Sequence, residues 1–520
     1  MEKVGSEPVT QTTLTTPARP DRARDPDRFF SVDGLRAELP RRSVRAGAVT
    51  LAAQSLRLAL TVGQTMVLAR LLTPDDHGLV TMVTAITWFF AIFQDLGLSQ
   101  ATIQRPQIDH RQVSALFWIN VSAGLALGLI TAALAPALAW FYGKPQLLGV
   151  TLALAPGFLA AGLAAQHVAL LRRQMQFRAV AAVDLLALTV GASLGLAAAG
   201  WGAGYWALVL AQVTSAWSYA VLAWVLCGWR PGPPRRGAGV RPLLAFGGGL
   251  TGFNVMNYCA RNLDNVLVGR LWGAGALGLY SKAYNLLVLP LQILNTPLSS
   301  VAQPGLSRLA AEPEKFRTYY LHALALLTSI TVPAVPFLLI GARELMAVLL
   351  GPGWEESAAV FSIFGVLVLV QPVCNTAGWL YVATGRIREL FRWGVWSSSI
   401  TVAAFVAGVP FGPRGVAAAY TIAILLLTVP CLRAALAGLP IRLRDVAGAV
   451  RPQLVAALPA GLAGWLAARA VRGDGGSPLL VLGACAGAVA VVYLVVLFVA
   501  LGRWPFYVSM LRHLFPRERE

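Results

Sequence analysis

The chain has 520 residues, of which 57% are apolar and only 12% are charged, and its mean hydropathy is +0.65. A soluble domain carries about 25% charged residues, so this composition excludes an ordinary water-soluble protein and predicts an integral membrane protein. The net charge of +19 does not indicate nucleic-acid binding, because the Lys and Arg residues lie between the apolar runs and form no single patch.

Residues 1–45 are polar and rich in Pro and Arg, and they lack the apolar core of a cleavable signal peptide. They are predicted to form a disordered, basic cytoplasmic tail, with the first membrane span acting as an uncleaved anchor.

Apolar runs long enough to cross a bilayer follow in chain order. The fourteen predicted spans are 46–69, 79–103, 113–141, 146–170, 179–199, 204–228, 243–268, 278–301, 320–341, 356–383, 393–411, 415–435, 449–470 and 478–502.

The basic residues predict the orientation of these spans. If the N-terminus is cytoplasmic, the cytoplasmic segments hold 32 of the 42 Lys and Arg residues, and the external segments hold 8. Loops that stay in the cytoplasm carry an excess of Lys and Arg, so this bias favours fourteen helices with both termini inside the cell. The remaining two basic residues, Arg57 and Arg261, lie within predicted spans.

An internal repeat relates the two halves of the chain. The segment LARLLTPDDHGLVTM, which starts at Leu68, aligns without a gap with VGRLWGAGALGLYSK, which starts at Val268, at an offset of 200 residues. Because six predicted spans separate the copies, both have the same orientation. The predicted fold is all-α, with two parallel six-helix lobes followed by two more helices. The predicted units are an N-lobe at 46–229, a cytoplasmic linker at 230–242, a C-lobe at 243–440 and appended helices with a tail at 441–520.

Two polar stripes lie at corresponding places in the repeat. Helix 1 carries Gln54, Arg57, Thr61 and Gln64, and helix 7 carries Asn254, Asn257, Arg261 and Asp264, each set on one helical face. Polar side chains cost free energy when they face lipid, so both stripes are expected to face the cleft between the lobes. Two guanidinium groups there favour an anion, and a diphosphate would repay the desolvation of both.

A structural explanation of the same residues stays open. Arg261 and Asp264 are one turn apart and could neutralise each other, backbone carbonyls could hold Arg57, and the amides could serve as links between helices. Four further polar residues are predicted to lie near the cytoplasmic interface and to be solvated, namely Asp95, Asp184, Gln166 and His167. Arg178 and Arg173 are candidate partners of Asp184.

The sequence contains no pattern typical of an enzyme. The predicted external loops hold no cluster of acidic or His residues, no Walker A sequence is present, and no two Cys residues form a C-x-x-C pair. We therefore expect no catalytic residues, no metal and no cofactor, and transport driven by gradients or by consumption of the substrate.

Four segments carry a resemblance to a known family. They are VLARLLTPDDHGLVTM, FQDLGLSQATIQR, ALLRRQMQFRAVAAVDL and NLDNVLVGRLWGAGALGLYSKAYNL. Over residues 43–440 the chain resembles the multidrug/oligosaccharidyl-lipid/polysaccharide exporter superfamily, in the polysaccharide-transporter branch of Wzx-type lipopolysaccharide and exopolysaccharide flippases.

The resemblance implies a V-shaped transporter in the cell inner membrane that works by alternating access. It implies that the substrate is an undecaprenyl-diphosphate-linked oligosaccharide repeat unit, with membrane lipids and a polysaccharide polymerase and co-polymerase as partners, and no nucleic acid. Arg57 and Arg261 match the family's diphosphate-binding arginines by helix and depth.

Three other functions are alternatives. A peptidoglycan lipid II flippase shares the fold and the helix count. A multidrug or cation-coupled exporter of the same superfamily would need acidic residues deep in the cleft, where only Asp264 qualifies. A polymerase or ligase acting on polyprenyl-linked sugars would carry a long external loop, whereas every predicted external loop here is short.

Overall fold

The described part of the chain is entirely helical in its regular structure. The computed structural model describes residues 39–95, 97–105, 108–233 and 241–507, with the backbone alone at 39–48, 241–257, 259–261, 290–297 and 300. The helices are α1 (Leu39–Leu71), α2 (Pro74–Asp95), α3 (Leu98–Gln104), α4 (His110–Tyr142), α5 (Gln146–Leu154), α6 (Gly157–Arg173), α7 (Phe177–Gly200), α8 (Tyr205–Cys227), α9 (Arg241–Leu309), α10 (Pro313–Ile340), α11 (Ala342–Leu349), α12 (Glu355–Gly365), α13 (Leu367–Ala383), α14 (Ile387–Gly408), α15 (Gly412–Leu436), α16 (Leu443–Gly473) and α17 (Pro478–Val495). The predicted all-α class is confirmed.

The apolar helices make this a multi-pass membrane protein. Each of the fourteen predicted spans lies on one or two of the helices, and within the described residues nine helical stretches are long and apolar enough to cross a bilayer. The number becomes ten if α12 and α13, bent by 46° at their junction, count as one broken span. One of the nine stretches, Ile387–Leu436, holds two predicted spans. The count of fourteen stays a prediction.

Three predicted spans are broken helices, namely 79–103, 146–170 and 356–383, the last at the bend between α12 and α13. Gly97, with φ 72°, separates α2 from α3, and Pro156 follows the end of α5. A left-handed backbone favours Gly, and Pro has no N–H group to continue a helix, so both breaks follow from the local sequence. Helix α9 contains two predicted spans, which meet at Gly273 (φ 84°). Helix α1 begins at Leu39, before the predicted start at 46, and the rest of the predicted tail, 1–38, lies outside the described residues.

The two copies of the repeat share one hydrophobic core at the end predicted to face the cell exterior. This core contains Met82, Tyr142 and Val150 from the first copy, and Tyr280 and Phe361 from the second. Burial of this apolar area against the opposite copy fixes the lobes to each other at this end.

Polar contacts reinforce the shared core. Trp354, which is buried, donates from Nε1 to the carbonyl oxygen of Ala69 at 2.9 Å. Arg70 donates from Nη2 to the carbonyl oxygen of Val348 at 2.8 Å. Its repeat equivalent, Arg270, lies 5.6 Å from the centre of the Phe141 ring in the opposite copy. Corresponding residues thus bridge the lobes in both directions.

At the predicted cytoplasmic end the described hydrophobic clusters each belong to one half of the chain. One cluster contains Leu98, Phe117, Leu170 and Trp229. The other cluster is built from later helices and contains Leu306, Tyr320, Leu380, Leu432 and Ile441. Two lobes that join at one end and have separate cores at the other form the predicted V.

The appended helices α16 and α17 pack on the second lobe through α10. Their cluster includes Ala460, Cys485 and Tyr493, with Leu326 and Phe337 of α10 packed against it. Arg472 of α16 donates from Nε and Nη2 to the two carboxylate oxygens of Glu344 on α11, at 2.8 and 2.9 Å. A bidentate pair of this kind fixes the predicted external end of α16 to the lobe.

Candidate functional site

The polar stripe of the first copy lies on α1 as predicted. Gln54 and Arg57 are exposed, and Thr61 and Gln64 are half-buried. The Thr61 hydroxyl donates to the carbonyl oxygen of Arg57 at 2.8 Å, so this hydroxyl is used within the helix. The exposed amide and guanidinium groups are the members of the stripe that a ligand can reach.

Arg57 lies in a polar group that joins four helices of the first lobe. Arg57 and Arg172 are close enough to the Asp184 carboxylate for electrostatic interaction, and both also act on the hydroxyl of Tyr219. Two guanidinium groups lie within electrostatic range of one carboxylate, so the set carries an excess of positive charge. The sequence did not pair Arg57 with Asp184, because the two residues are far apart in the chain and lie in different predicted spans.

The arginines predicted to pair with Asp184 were Arg178 and Arg173. Arg173 is buried, and its Nη1 donates to the carbonyl oxygens of Thr102 and Arg105 at 2.9 and 2.6 Å. These carbonyls lie at the C-terminal end of α3, where the helix carries a partial negative charge. Arg173 therefore caps a helix, and Arg57 and Arg172 supply the charge beside Asp184.

The stripe of the second copy is described only at its last member. The side chains of Asn254, Asn257 and Arg261 lie outside the described residues. Asp264 is 3% exposed and accepts hydrogen bonds from the Tyr280 hydroxyl at 2.7 Å and from the backbone N–H of Asn265 at 2.8 Å. This carboxylate is satisfied within the second lobe.

The weaker candidates have local partners. Asp95 accepts from the Ser99 hydroxyl at 2.6 Å and from the Asn120 amide at 3.4 Å, and so bridges the break between α2 and α3. Gln166 accepts from the Thr102 hydroxyl at 2.8 Å, and the His167 ring stacks on Trp224 with centres 4.4 Å apart. Gln166 and His167 are fully buried, not solvated as predicted, because they lie between packed helices.

A cavity of about 320 Å³ opens between α2, α6 and α8 of the first lobe. Trp88, 64% exposed, and the exposed amide of Gln212 line it. A third lining residue, Gln94, is buried and donates to the carbonyl oxygen of Phe158. An aromatic face beside a few polar groups is the usual composition of a small-molecule site.

The described helices define a two-lobed, multi-pass α-helical membrane protein. The structure matches that of the lipid II flippase MurJ in an inward closed conformation, with a TM-score of 0.71 and 13% sequence identity, over 89% of this chain and 99% of that chain. At this level of identity the match shows a common fold.

The sequence comparisons identify the family. The family described as polysaccharide biosynthesis protein matches residues 67–359, more than half of the chain. The chain belongs to this family, and the predicted membership of the polysaccharide branch is confirmed.

Two characterised relatives are similar over most of their lengths. The lipopolysaccharide biosynthesis protein WzxC of Escherichia coli K12 is 26% identical over 357 residues, which is 68% of this chain and 72% of WzxC. The succinoglycan biosynthesis transport protein ExoT of Rhizobium meliloti is 26% identical over 357 residues, which is 66% of this chain and 69% of ExoT.

Proposed function

We propose that the protein is a flippase that moves an undecaprenyl-diphosphate-linked oligosaccharide repeat unit across the cell inner membrane for surface polysaccharide synthesis. The observation that carries the proposal is the exposed Arg57 in the middle of α1, in a group of two arginines and one carboxylate. The relatives named for polysaccharide biosynthesis and transport support it.

The chemistry of the substrate fits this group. A diphosphate carries negative charge that a guanidinium group binds through two parallel hydrogen bonds. An uncompensated arginine at this depth costs about 2.5–3.5 kcal/mol, so an anionic ligand lowers the free energy of the loaded protein. On the first lobe, we assign Arg57 and Gln54 to binding of the diphosphate. On the second lobe, we assign Arg261, Asn254 and Asn257 to binding of the diphosphate. Gln64 of α1 lies nearer the end at which the two lobes share a core, and we assign it to contact with the sugar.

Asp264 has a different place in the proposal. It accepts hydrogen bonds from the Tyr280 hydroxyl and the Asn265 backbone N–H within the second lobe, and it contacts substrate only if the lobe rearranges. The cavity lined by Trp88 and Gln212 offers the sugar an aromatic face and an amide. The polyprenyl chain stays in the lipid between the lobes.

The proposed topology places both termini in the cytoplasm, with lobes at 46–229 and 243–440. It puts the end at which the lobes share a core, here called the closed end and marked by Arg70 and Trp354, outside the cell. In a variant whose five native cysteines are replaced by serine, Lys144→Cys and Gln174→Cys test this with a membrane-impermeant thiol reagent, and only Lys144→Cys should be labelled in intact cells. We propose a polysaccharide polymerase and co-polymerase as partners that consume the flipped substrate.

The activity test uses Arg57→Ala and Arg57→Lys in a strain that lacks the native gene. We expect the Ala variant to abolish surface polysaccharide and the Lys variant to restore part of it, because an ammonium group replaces a bidentate fork with a point charge. Proteoliposomes holding the lipid-linked oligosaccharide report flipping directly, through its exposure to an impermeant glycosidase.

Arg469→Ala is the matched control, since Arg469 lies over the Trp465 ring of the appended helix α16, at 5.2 Å. Its export should equal that of the parent. Unchanged export and flipping in the double variant Arg57→Ala/Arg261→Ala, with normal protein levels, would rule out the assigned diphosphate site.

A further inference from the structure

A second cavity lies among the appended helices, away from the α1 stripe. It has a volume of about 400 Å³ and opens between α10, α16 and the segment that follows α17. Its lining has a charged part and an apolar part. Arg317, Arg444, Asp445 and Arg503 form the charged part of the lining, and Leu321, Ala325, Ala449, Pro452 and Phe506 form the apolar part.

The charged part has an excess of positive charge. Arg317 forms an ion pair with Asp445, with Nη2 3.2 Å from Oδ1, and its Nε donates to Oδ2 at 3.3 Å. Arg444 and Arg503 are exposed, and neither forms an ion pair with a carboxylate of the described residues. Arg317 also lies 3.8 Å from the Glu314 carboxylate. Three guanidinium groups against two carboxylates leave an excess of one positive charge, which favours an anion.

Two further contacts hold side chains of the cavity lining in place. The buried Gln453 amide and the Tyr507 hydroxyl are 3.1 Å apart, in hydrogen-bond contact. The Phe506 ring packs edge-on against His322, with ring centres 4.9 Å apart. Gly448, also on the lining, has open space around the position of a Cβ atom. The cavity therefore has room beside an apolar wall.

The arginines come from three predicted cytoplasmic segments, which precede helix 9, precede helix 13 and follow helix 14. The proposed topology puts them at the headgroup level of the cytoplasmic leaflet, with the apolar wall toward the start of the acyl chains. Basic pockets between membrane helices on this side bind anionic headgroups.

We propose that this cavity binds an anionic phospholipid of the cytoplasmic leaflet. Its phosphate lies between Arg444 and Arg503, and the first part of an acyl chain lies along Leu321 and Phe506. A soluble phosphate would leave the apolar wall uncovered, whereas a glycerophospholipid covers both parts of the cavity. The bound lipid links α16 and the end of α17 to α10.

Native mass spectrometry of the full-length, delipidated protein tests the proposal with phosphatidylglycerol, and with phosphatidylethanolamine of the same acyl chains. We expect phosphatidylglycerol to bind more tightly. The double variant Arg444→Gln/Arg503→Gln should bind it about tenfold to thirtyfold more weakly. Arg433→Gln/Arg451→Gln is the matched control, because it removes two exposed cytoplasmic arginines outside the cavity and should keep the parent affinity.

A second variant removes no charge. Gly448→Phe fills the open space and should displace the lipid while the melting temperature of the protein stays within a few degrees of the parent's. Equal binding of the two lipids, equal losses in both double variants, or full binding by Gly448→Phe would each overturn the proposal. Competition by glycerol 1-phosphate as effective as that by phosphatidylglycerol would instead identify a soluble phosphate as the ligand and also overturn it.

Discussion

Gly78 and Gly278 occupy the same position in the two copies of the repeat, and they lie backbone to backbone where α2 crosses the second half of α9. A methyl group at Gly78 would come within 1.8 Å of the carbonyl oxygen of Ala274, and one at Gly278 within 1.9 Å of that of Pro74. Ala274 and Pro74 are themselves equivalent at the offset of 200. The contact is therefore reciprocal, and only glycine allows it on either side.

Gly78→Ala and Gly278→Ala are each expected to separate the lobes at the closed end. Because the obstructing atoms are backbone, no side chain can move aside, and overpacking of this kind costs about 1–3 kcal/mol. Thermal unfolding in detergent should show the loss, and surface polysaccharide should fall in the same variants.

Gly63→Ala and Gly483→Ala are the matched controls, since a Cβ atom at either position meets nothing within 4 Å. Both lie in helices, where alanine is favoured over glycine, so their stability should be equal or higher. If Gly78→Ala is as stable and as active as Gly63→Ala, the close crossing does not limit the protein.

Trp354→Phe tests the second bridge between the lobes. The indole is 1% exposed, and its hydrogen bond to the Ala69 carbonyl oxygen crosses from one copy to the other. Losing the bond leaves a buried acceptor unpaired, which costs about 1–3 kcal/mol. Chemical denaturation measures the change. Trp201→Phe, at a tryptophan that is 87% exposed, should change stability by less than about 0.5 kcal/mol. Equal effects would contradict the bridge.

The repeat made the closed end predictable in outline. The alignment of Gly78 with Gly278 and of Arg70 with Arg270 marked equivalent positions, and the structure brings both pairs to one interface. The partners Val348 and Phe141 were not predictable, because sequence periodicity gives the face of a helix and leaves its neighbour undefined.

The polar residues show the same limit. Helical spacing placed Gln54 and Arg57 on one face of α1, but it could not reveal that Asp184 lies within electrostatic range of Arg57. The breaks inside three predicted spans were missed for another reason. A hydropathy average covers a whole span and does not register a local break. Gly97 and Pro156 each interrupt the helix at a single position of the backbone.

A double-mutant cycle on Asp264 and Tyr280 measures the buried hydrogen bond between these two residues of the second lobe. Tyr280→Phe should destabilise the protein, because the buried carboxylate loses a charge-assisted bond, and Asp264→Asn should weaken the same contact. The coupling is expected to be about 1.5–3 kcal/mol from chemical denaturation.

Tyr142→Phe is the control for this cycle. The Tyr142 hydroxyl is buried and has no hydrogen-bond partner among the described residues, so its removal should be neutral or stabilising. Additive effects of Asp264→Asn and Tyr280→Phe would show that the 2.7 Å contact contributes no net stability.

The ion pair between Glu344 and Arg472 predicts a pH dependence. Partial burial raises the pKa of the Glu344 carboxyl, but the bidentate hydrogen bonds from Arg472 outweigh it and hold the pKa below the ordinary value of 4.5. A carboxyl with a lowered pKa in the folded state adds stability above the unfolded pKa, and this stability is lost as the pH falls through the folded value. Glu344→Gln should therefore lower the melting temperature at pH 7, and the difference from the parent should vanish at a pH well below 4.5.

Glu356→Gln removes an exposed carboxylate on α12 and should show no such pH-dependent difference. A gap between Glu344→Gln and the parent that stays constant down to low pH would mean that the pair contributes through packing and not through charge.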